Sequence, residues 1–539
     1  MMKKTPLIVI VGSTGTGKTK LSIELAERFG GEIISADSMQ VYTNLDIATA
    51  KATKEEQARV KHHLLDVTTP DKPFTVLNFR DAALPIIEEL LGKSKCPIVV
   101  GGTNYYIESL VWDVLVNTKI YEESENKAQI VAAEGAIKHD GNAEEDEGGN
   151  SSEKEKKTEN DENMENDKEK AEKPKDVETE NRPFIDLAKM AEMASDELHK
   201  HLKKIDPDSA NRIHPNNKRK IMRAIEVYQL SGQTLTEQLK AQREQPGGNR
   251  LGGPLRYPNT ILFWLRCKQD VLDKRLDKRV DSMLERGLLR ELRAFHYEHK
   301  IDQSKKDDPL TYTVGVLQTI GFKEFVPYLE KYDESNDRRI EEYLRLNDYK
   351  MPTSVGVEDE EDYKAHTKSR KFMRNPAQKL EEDGGQEKPR LRLPPGTHLL
   401  ASCLNELKLV TKRYSKKQIK WINNRFLASK DRQVPDLYEL DTTDVSQWQT
   451  QVFERAVTVI DSYRNGQVCE IQPMTKRVHP GAGLNQEVTN YCTVCERTFI
   501  GEYQWNLHLK SNKHKKTKYE SKEKKDTTAA TTAGEIKCE

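Results

Sequence analysis

Apolar positions along the first 115 residues follow two alternating rhythms. LIVIV (from Leu7), GEIISA (from Gly31) and CPIVV (from Cys96) are short, nearly continuous apolar runs closed by Gly or polar residues, as strands buried on both faces are. Between them, KLSIELAERF and LNFRDAALPIIEELL carry apolar residues at helical spacing. Strand and helix in turn predict a parallel sheet with helices packed on it, and TILFWLRC from Thr260 predicts a further strand.

The rhythm breaks twice. From about residue 139 to 180 the chain is Glu, Lys, Asp and Asn with almost no aliphatic residues, too little to offset chain entropy by burial, so a disordered insertion is expected. A second polar stretch, 349–395, is rich in charge, Pro and Gly and predicts another loop. Helical patterns lie between and after them: FIDLAKMAEMASDELHKHLKKI, NKRKIMRAIEVYQLSG, LDKRLDKRVDSMLERGLLREL and the cationic RYSKKQIKWINNRF.

A charged fraction of 32% across 539 residues fits a chain of up to three domains with long solvated segments. Lys plus Arg is 87 against 88 for Asp plus Glu, so any basic surface for a polyanion must be local. Of seven cysteines only Cys492 and Cys495 are close in sequence, which excludes a secreted disulfide framework and fits a reducing compartment. No apolar run approaches the roughly 18 residues of a membrane span, and the start runs straight into the first strand, leaving no room for a presequence. A cytoplasmic location is expected, with nuclear and mitochondrial pools left open.

The first strand ends in GSTGTGKT, Gly12 to Thr19, a phosphate loop that opens a helix. Its glycines turn backbone N–H groups inward, Lys18 adds a point charge and the Thr19 hydroxyl suits Mg²⁺. The loop names no reaction by itself, because kinases, NTPases and transferases share it. Residues at the other strand ends must decide. Asp37 follows EIISA and Thr103 follows CPIVV, both on the carboxyl rim where an open α/β sheet binds its ligand. Asp37 could hold Mg²⁺ in an ATP-using enzyme, could cap a helix, or could act as a base.

Near the C-terminus, Cys492, Cys495, His508 and His514 read C-x2-C-x12-H-x5-H, a closed Zn²⁺ site of two thiolates and two imidazoles. Phe499 and Trp505 would supply its small apolar core, and the Lys-rich flank favours an auxiliary hold on RNA or nuclear targeting. His62 and His63 have no cysteine neighbours and read as structural or RNA-facing.

GSTGTGKT, SADSMQVY, HHLLDV, GGTNYY and NRIHPNNKRKIMRAIEVYQLSGQT, in this order, resemble the tRNA dimethylallyltransferase (isopentenyltransferase) family. The likeness continues through RVDSMLERGLLREL, TYTVGVLQTIGFKEF and RYSKKQIKWINNRF, and the C-terminal finger is similar to that of eukaryotic members. The resemblance implies an α/β fold: a P-loop parallel-sheet core with a helical insertion domain, plus a small ββα finger. The implied layout is core at 1–116 and 211–430, insertion at 117–210, linker and helical segment at 431–485, finger at 486–516 and a basic tail at 517–539.

The implied reaction transfers a dimethylallyl group from dimethylallyl diphosphate to N6 of the adenosine just 3′ of the anticodon, with diphosphate leaving. Gly12, Ser13, Thr14, Gly15, Thr16, Gly17, Lys18 and Thr19, with Mg²⁺ on Thr19, would grip the leaving diphosphate, and Arg223 matches the family arginine that completes the clamp. Asp37 matches the carboxylate that takes the N6 proton. Ser38, Met39, Gln40 and Thr103, together with Lys218, Arg219, Lys220, Ile221 and Met222, match stretches that meet tRNA. The purine must be flipped out of the anticodon loop to react, and the enzyme is expected to act as a monomer. A nucleoside or nucleotide kinase, and a non-catalytic RNA-binding zinc-finger protein, stand as alternatives.

Overall fold

The computed structural model describes residues 5–114, 185–249, 252–299, 315–351, 393–427, 432–476, 484–485 and 488–519. The acidic stretch 139–180, all but the ends of the 349–395 stretch, and the tail beyond 519 lie outside the described residues. The chain divides into two compact units, Met1–Leu115 with Ala241–Ala482, and Val116–Lys240 with Gly483–Glu539.

The first unit is built on six parallel strands: β1 (Leu7–Gly12), β2 (Glu32–Ser35), β3 (His62–His63), β4 (Pro97–Val100), β5 (Thr260–Arg266) and β6 (Leu437–Asp441). Their order across the sheet is β3-β2-β4-β1-β5-β6. In register, β1 sets Ile8 beside Ile98 of β4 and Ile261 of β5. The two-residue alternation of a strand explains why β1 must be apolar throughout. Leu7, Val9 and Val11 pack with Phe79, Ala83, Ile87 and Ile107 on one face, while Ile8 and Ile10 pack with Leu21, Leu25, Val459 and Ile460 on the other.

From β1 the chain crosses to β2, β3 and β4 on one side and later returns to β5 and β6 on the other. Such a reversal opens a crevice at the carboxyl ends of the strands. Two close approaches shape it. A Cβ on Gly101 would lie 2.0 Å from the Ala36 carbonyl oxygen, so only glycine lets the ends of β2 and β4 meet. The loop after β2 is tied down by Glu291, whose carboxylate accepts the Ile47 and Ala48 N–H groups at 2.7 and 2.8 Å. Val41, Tyr42 and Leu45 of that loop bury themselves against Leu288, Leu292, Phe295 and Leu404.

Segment 431–485, expected as a linker and helix, is corrected in part. Its LYELD run forms β6, and the helix Glu454–Asn465 follows. An edge strand needs cover on fewer sides, so it tolerates Glu439 and Asp441 and escapes an apolar-run criterion.

In the second unit the helices Ser195–Ile205, Pro207–Arg212 and Lys218–Ser231 share a core of Leu198, Leu202, Ala210, Ile221, Ala224 and Ile225. Residues 211–240 were expected in the catalytic core but cluster with these helices. The finger belongs to the same unit, with the antiparallel strands β7 (Thr489–Cys492) and β8 (Arg497–Ile500) and the helix Glu502–Lys510. It meets the helices where His214 Nε2 lies 3.1 Å from the Thr498 carbonyl and the Thr489 hydroxyl donates to the Asn211 carbonyl at 3.1 Å.

Candidate active site

The phosphate loop connects β1 to the helix Lys18–Phe29. Gly15 and Gly17 sit at φ of 83° and 88°, left-handed values that favour glycine. Within the loop the Thr16 hydroxyl and the Lys18 ammonium both donate to the Ser13 carbonyl, at 2.8 and 3.0 Å. No acidic residue occupies the first turn of the helix, so its N-terminal N–H groups and dipole face the cleft uncompensated, as anion binding requires.

The opposite rim is made by the ends of β2 and β4. The Asp37 carboxylate accepts the Met39 N–H at 3.0 Å, and the Thr103 hydroxyl accepts the Ser38 N–H at 2.9 Å. Thr103 therefore fixes the loop that carries Asp37. The long helix Thr397–Ile422 then ties the two rims together. Gln418 accepts the Thr14 N–H of the phosphate loop at 2.9 Å and donates to the Gly102 carbonyl at 2.9 Å. One turn earlier, the Tyr414 hydroxyl donates to the same carbonyl at 3.5 Å. A Cβ on residue 102 would come within 2.5 Å of the Gln418 amide nitrogen, so the staple demands glycine there.

Between the rims lies a cleft of about 420 Å³, lined by Thr14, Lys18, Thr19, Asp37, Arg279 and Tyr414 among others. Burial lowers the Lys18 ammonium to about 8, against the pull of Asp37 and with a push from Arg279. Burial likewise raises the Asp37 carboxyl above its ordinary range, opposed by the Met39 N–H, Lys18 and Arg279. Burial also lowers Arg279. A desolvated site with two cations and one anion is poised for an anionic ligand on one side and a proton donor on the other.

The structure brings the loop residues Gly12 to Thr19 together with Asp37 and Thr103 at one carboxyl edge. Gln40, expected to meet RNA, uses its amide within the protein, accepting from Ser35 at 2.9 Å and donating to the Thr49 and Ala50 carbonyls at 3.2 Å. Met39 packs against the core cluster, its sulfur 3.1 Å from the Thr319 hydroxyl. Arg223 lies in the second unit, ion-paired to Glu226 at 2.7 Å. On the same helix Ile221 is fully buried, its side chain packing the helical core. Lys220 and Arg219 are exposed, while Lys218 donates to the Ala191 carbonyl. His63 pairs with Glu32 at 2.7 Å and His62 with the Val60 carbonyl at 2.8 Å, both structural bonds.

Sequence reasoning missed Arg275, Arg279, Tyr414 and Gln418, all of which line the cleft. The signal was present. Arg275 and Arg279 stand four apart in one helix, as do Tyr414 and Gln418 in another, so each pair shares a face.

In the finger, the donor atoms of Cys492, Cys495, His508 and His514 lie within 4.8 Å of one another. The Cys492 and Cys495 sulfurs are 3.6 and 3.4 Å from His514 Nδ1, and His508 Nε2 is buried without a hydrogen-bond partner. Two thiolates, two imidazoles and one orphaned nitrogen fit a tetrahedral zinc ion. Phe499 stacks on His508 at 4.0 Å and Trp505 adds the third ring of the small core.

Comparison with known proteins agrees with this geometry. The family model described as IPP transferase matches residues 40–147 and 158–348, one described as isopentenyl transferase matches 5–72, and one described as zinc-finger double-stranded RNA-binding matches 489–515. The chain is 34% identical over 517 residues to a tRNA dimethylallyltransferase of Mus musculus, covering 95% of this chain and 86% of that protein. Against the tRNA dimethylallyltransferase of Homo sapiens it is 33% identical over 520 residues, covering 95% and 86%. A solved eukaryotic dimethylallyltransferase, captured acting on tRNA, shares the fold at a TM-score of 0.61 and 24% identity, covering 98% of this chain and 100% of that one. With matches of this extent over both the sheet and the finger, the chain belongs to the IPP transferase family, in its eukaryotic form with a C-terminal zinc finger.

Proposed function

We propose that this chain transfers a dimethylallyl group from dimethylallyl diphosphate to N6 of the adenosine just 3′ of the tRNA anticodon, releasing diphosphate. The observation that carries the reading is the placement of Asp37 across one desolvated cleft from the phosphate loop. A kinase needs its phosphate to face the acceptor. Here the loop grips a leaving group, and the carboxylate serves the nucleophile.

Loop N–H groups and Lys18 hold the diphosphate and stabilise the charge that grows as the allylic C–O bond breaks. Arg279 adds a second cation in the cleft, and the family resemblance assigns Arg223 to the diphosphate clamp. N6 is a weak nucleophile because its lone pair is delocalised into the purine. Asp37 accepts the N6 proton as the C–N bond forms, and its raised pKa makes it a better base than an exposed carboxylate. The exposed Thr19 hydroxyl is a hard oxygen donor that suits Mg²⁺, which would supply further charge neutralisation at the diphosphate. Lys218, Arg219 and Lys220 would follow the RNA backbone, and the zinc-holding finger would add affinity for tRNA. The enzyme would work as a monomer in the cytosol.

The direct test follows label from dimethylallyl diphosphate into unmodified tRNA and, in parallel, γ-phosphate release from ATP. Label in tRNA without ATP hydrolysis is expected, and Asp37→Asn should lower the single-turnover rate at least about 100-fold with tRNA affinity nearly unchanged. ATP turnover without label in tRNA refutes the reading.

The half-buried Lys18, its ammonium turned into the cleft, makes a second expectation. Its folded pKa of about 8 lies below the unfolded 10.5, so the unfolded chain holds more protons between those values. Stability therefore rises with pH through that window, and below it the buried charge costs the ligand-free protein up to about 3 kcal/mol. Lys18→Met should stabilise the ligand-free chain by about 1–2 kcal/mol, since Asp37 loses its cation in exchange, and should abolish stabilisation by pyrophosphate. Unfolding curves with and without pyrophosphate decide it; a destabilised variant that still responds to pyrophosphate contradicts the assignment.

For the finger, Cys495→Ser should release zinc and weaken tRNA binding about 10-fold while single-turnover transfer at saturating tRNA persists. Unchanged affinity with a collapsed rate would place the finger in the chemistry instead.

A further inference from the structure

A ligand on the phosphate loop can extend along the carboxyl edge in only two directions: toward β4 and β2, where Asp37 and Gly102 stand, or toward β5 and β6. The second direction is walled. A Cβ on Gly15 would lie 2.9 Å from Leu276 Cδ2 and 3.3 Å from Leu272 Cδ1. A Cβ on Gly17 would lie 2.8 Å from both Cη2 and Cζ3 of Trp448. Leu272 and Leu276 come from the helix Gln269–Glu285, and Trp448 from the turn after β6. The two leucines are fully buried, and Trp448 is 8% exposed.

Trp448 is fixed from several sides. Its indole N–H donates to Glu24 at 2.8 Å, and the Lys20 ammonium sits 4.6 Å from the ring centroid. Behind it, Arg275 donates to the Thr443 carbonyl at 2.8 Å and holds the turn that delivers the tryptophan. None of these contacts serves the chemistry assigned to the loop. They press a large rigid ring onto the glycine that precedes Lys18.

We propose that Trp448, backed by Leu272 and Leu276, is a specificity wall that makes this phosphate loop reject nucleoside polyphosphates and accept a diphosphate whose organic part points to Asp37. The inference rests on the prenyl-transfer reading and deepens it. A loop of this type is generic for phosphates, and sequence alone leaves an ATP-using enzyme open. Here the β5–β6 flank, where a sugar and base could otherwise lie, is filled with side chains. On the other flank, a cleft of about 420 Å³ is near the small end for a ligand site and must hold the prenyl tail and the acceptor purine together. A nucleotide donor is excluded on one side by bulk and on the other by the acceptor.

Calorimetric titration of the full chain with inorganic pyrophosphate and with ADP, each with Mg²⁺ and with unmodified anticodon stem-loop RNA already bound so that the acceptor fills the Asp37 flank, tests this. The wild type should bind pyrophosphate and bind ADP at least about 10-fold more weakly. Trp448→Ala should tighten ADP about 10-fold and leave pyrophosphate within about 3-fold, whereas Trp448→Phe should keep the discrimination. Leu276→Ala opens the same flank independently and should shift ADP in the same direction. Wild-type ADP affinity equal to that for pyrophosphate, or no gain for ADP in either opened variant while pyrophosphate still binds, overturns the wall. Dimethylallyl transfer by the wild type, measured in parallel, separates the two ideas: transfer with tight ADP binding sinks only the wall, while ATP turnover without transfer sinks the reading beneath it.

Discussion

A single primary amide bridges the two banks of the candidate cleft. Gln418 accepts from the phosphate loop and donates to the carbonyl of Gly102, next to the loop that carries Asp37, so cation and carboxylate are held on opposite banks. Were the banks closer, Lys18 and Asp37 would neutralise each other as a salt bridge; were they farther apart, water would enter and screen both. The staple also explains the glycines at 101 and 102, which admit the Ala36 carbonyl and the Gln418 amide at distances no side chain would allow. Those glycines are as much part of the site as the charged residues.

Much of the fold was legible because a parallel sheet covered on both faces has no choice but to be apolar. β1, β2, β4 and β5 all stand where the continuous runs placed them. β3, two histidines long, and β6, an edge strand interrupted by Glu439 and closed by Asp441, carry no such signature. The phosphate loop was legible for a different reason: its glycines answer a local backbone requirement written in adjacent residues. The cleft's other wall was not. Thr14 and Gln418 are 404 positions apart, and no periodicity within a helix says which distant loop its polar face will meet. Within the basic stretch Ile221 is the buried member. A basic run at a helix start marks the turn, but one residue in that turn must still face the core.

The two units divide the work that the family name implies. One holds a small, desolvated, charge-dense cleft whose geometry is set by strand ends and a buried amide. The other carries exposed cations on a helix start and a finger whose two cysteines and two histidines converge as a zinc site would. Sequence conveyed the finger more completely than the cleft, because metal ligands are identified by spacing alone while a catalytic wall is assembled across the chain. The phosphate loop is common to many enzymes; what is particular to this one is what stands on either side of it, an aspartate on one flank and a tryptophan on the other.

The central claim concerns where two reacting groups sit, and the most direct measurement is a crystal structure of this chain with a non-hydrolysable dimethylallyl diphosphate analogue and an anticodon stem-loop RNA. The account predicts the diphosphate on Gly12 to Thr19 and the flipped adenine with its N6 within hydrogen-bond distance of the Asp37 carboxylate. An Asp37 carboxylate bound to a metal ion, or turned away from the purine amine, would contradict it.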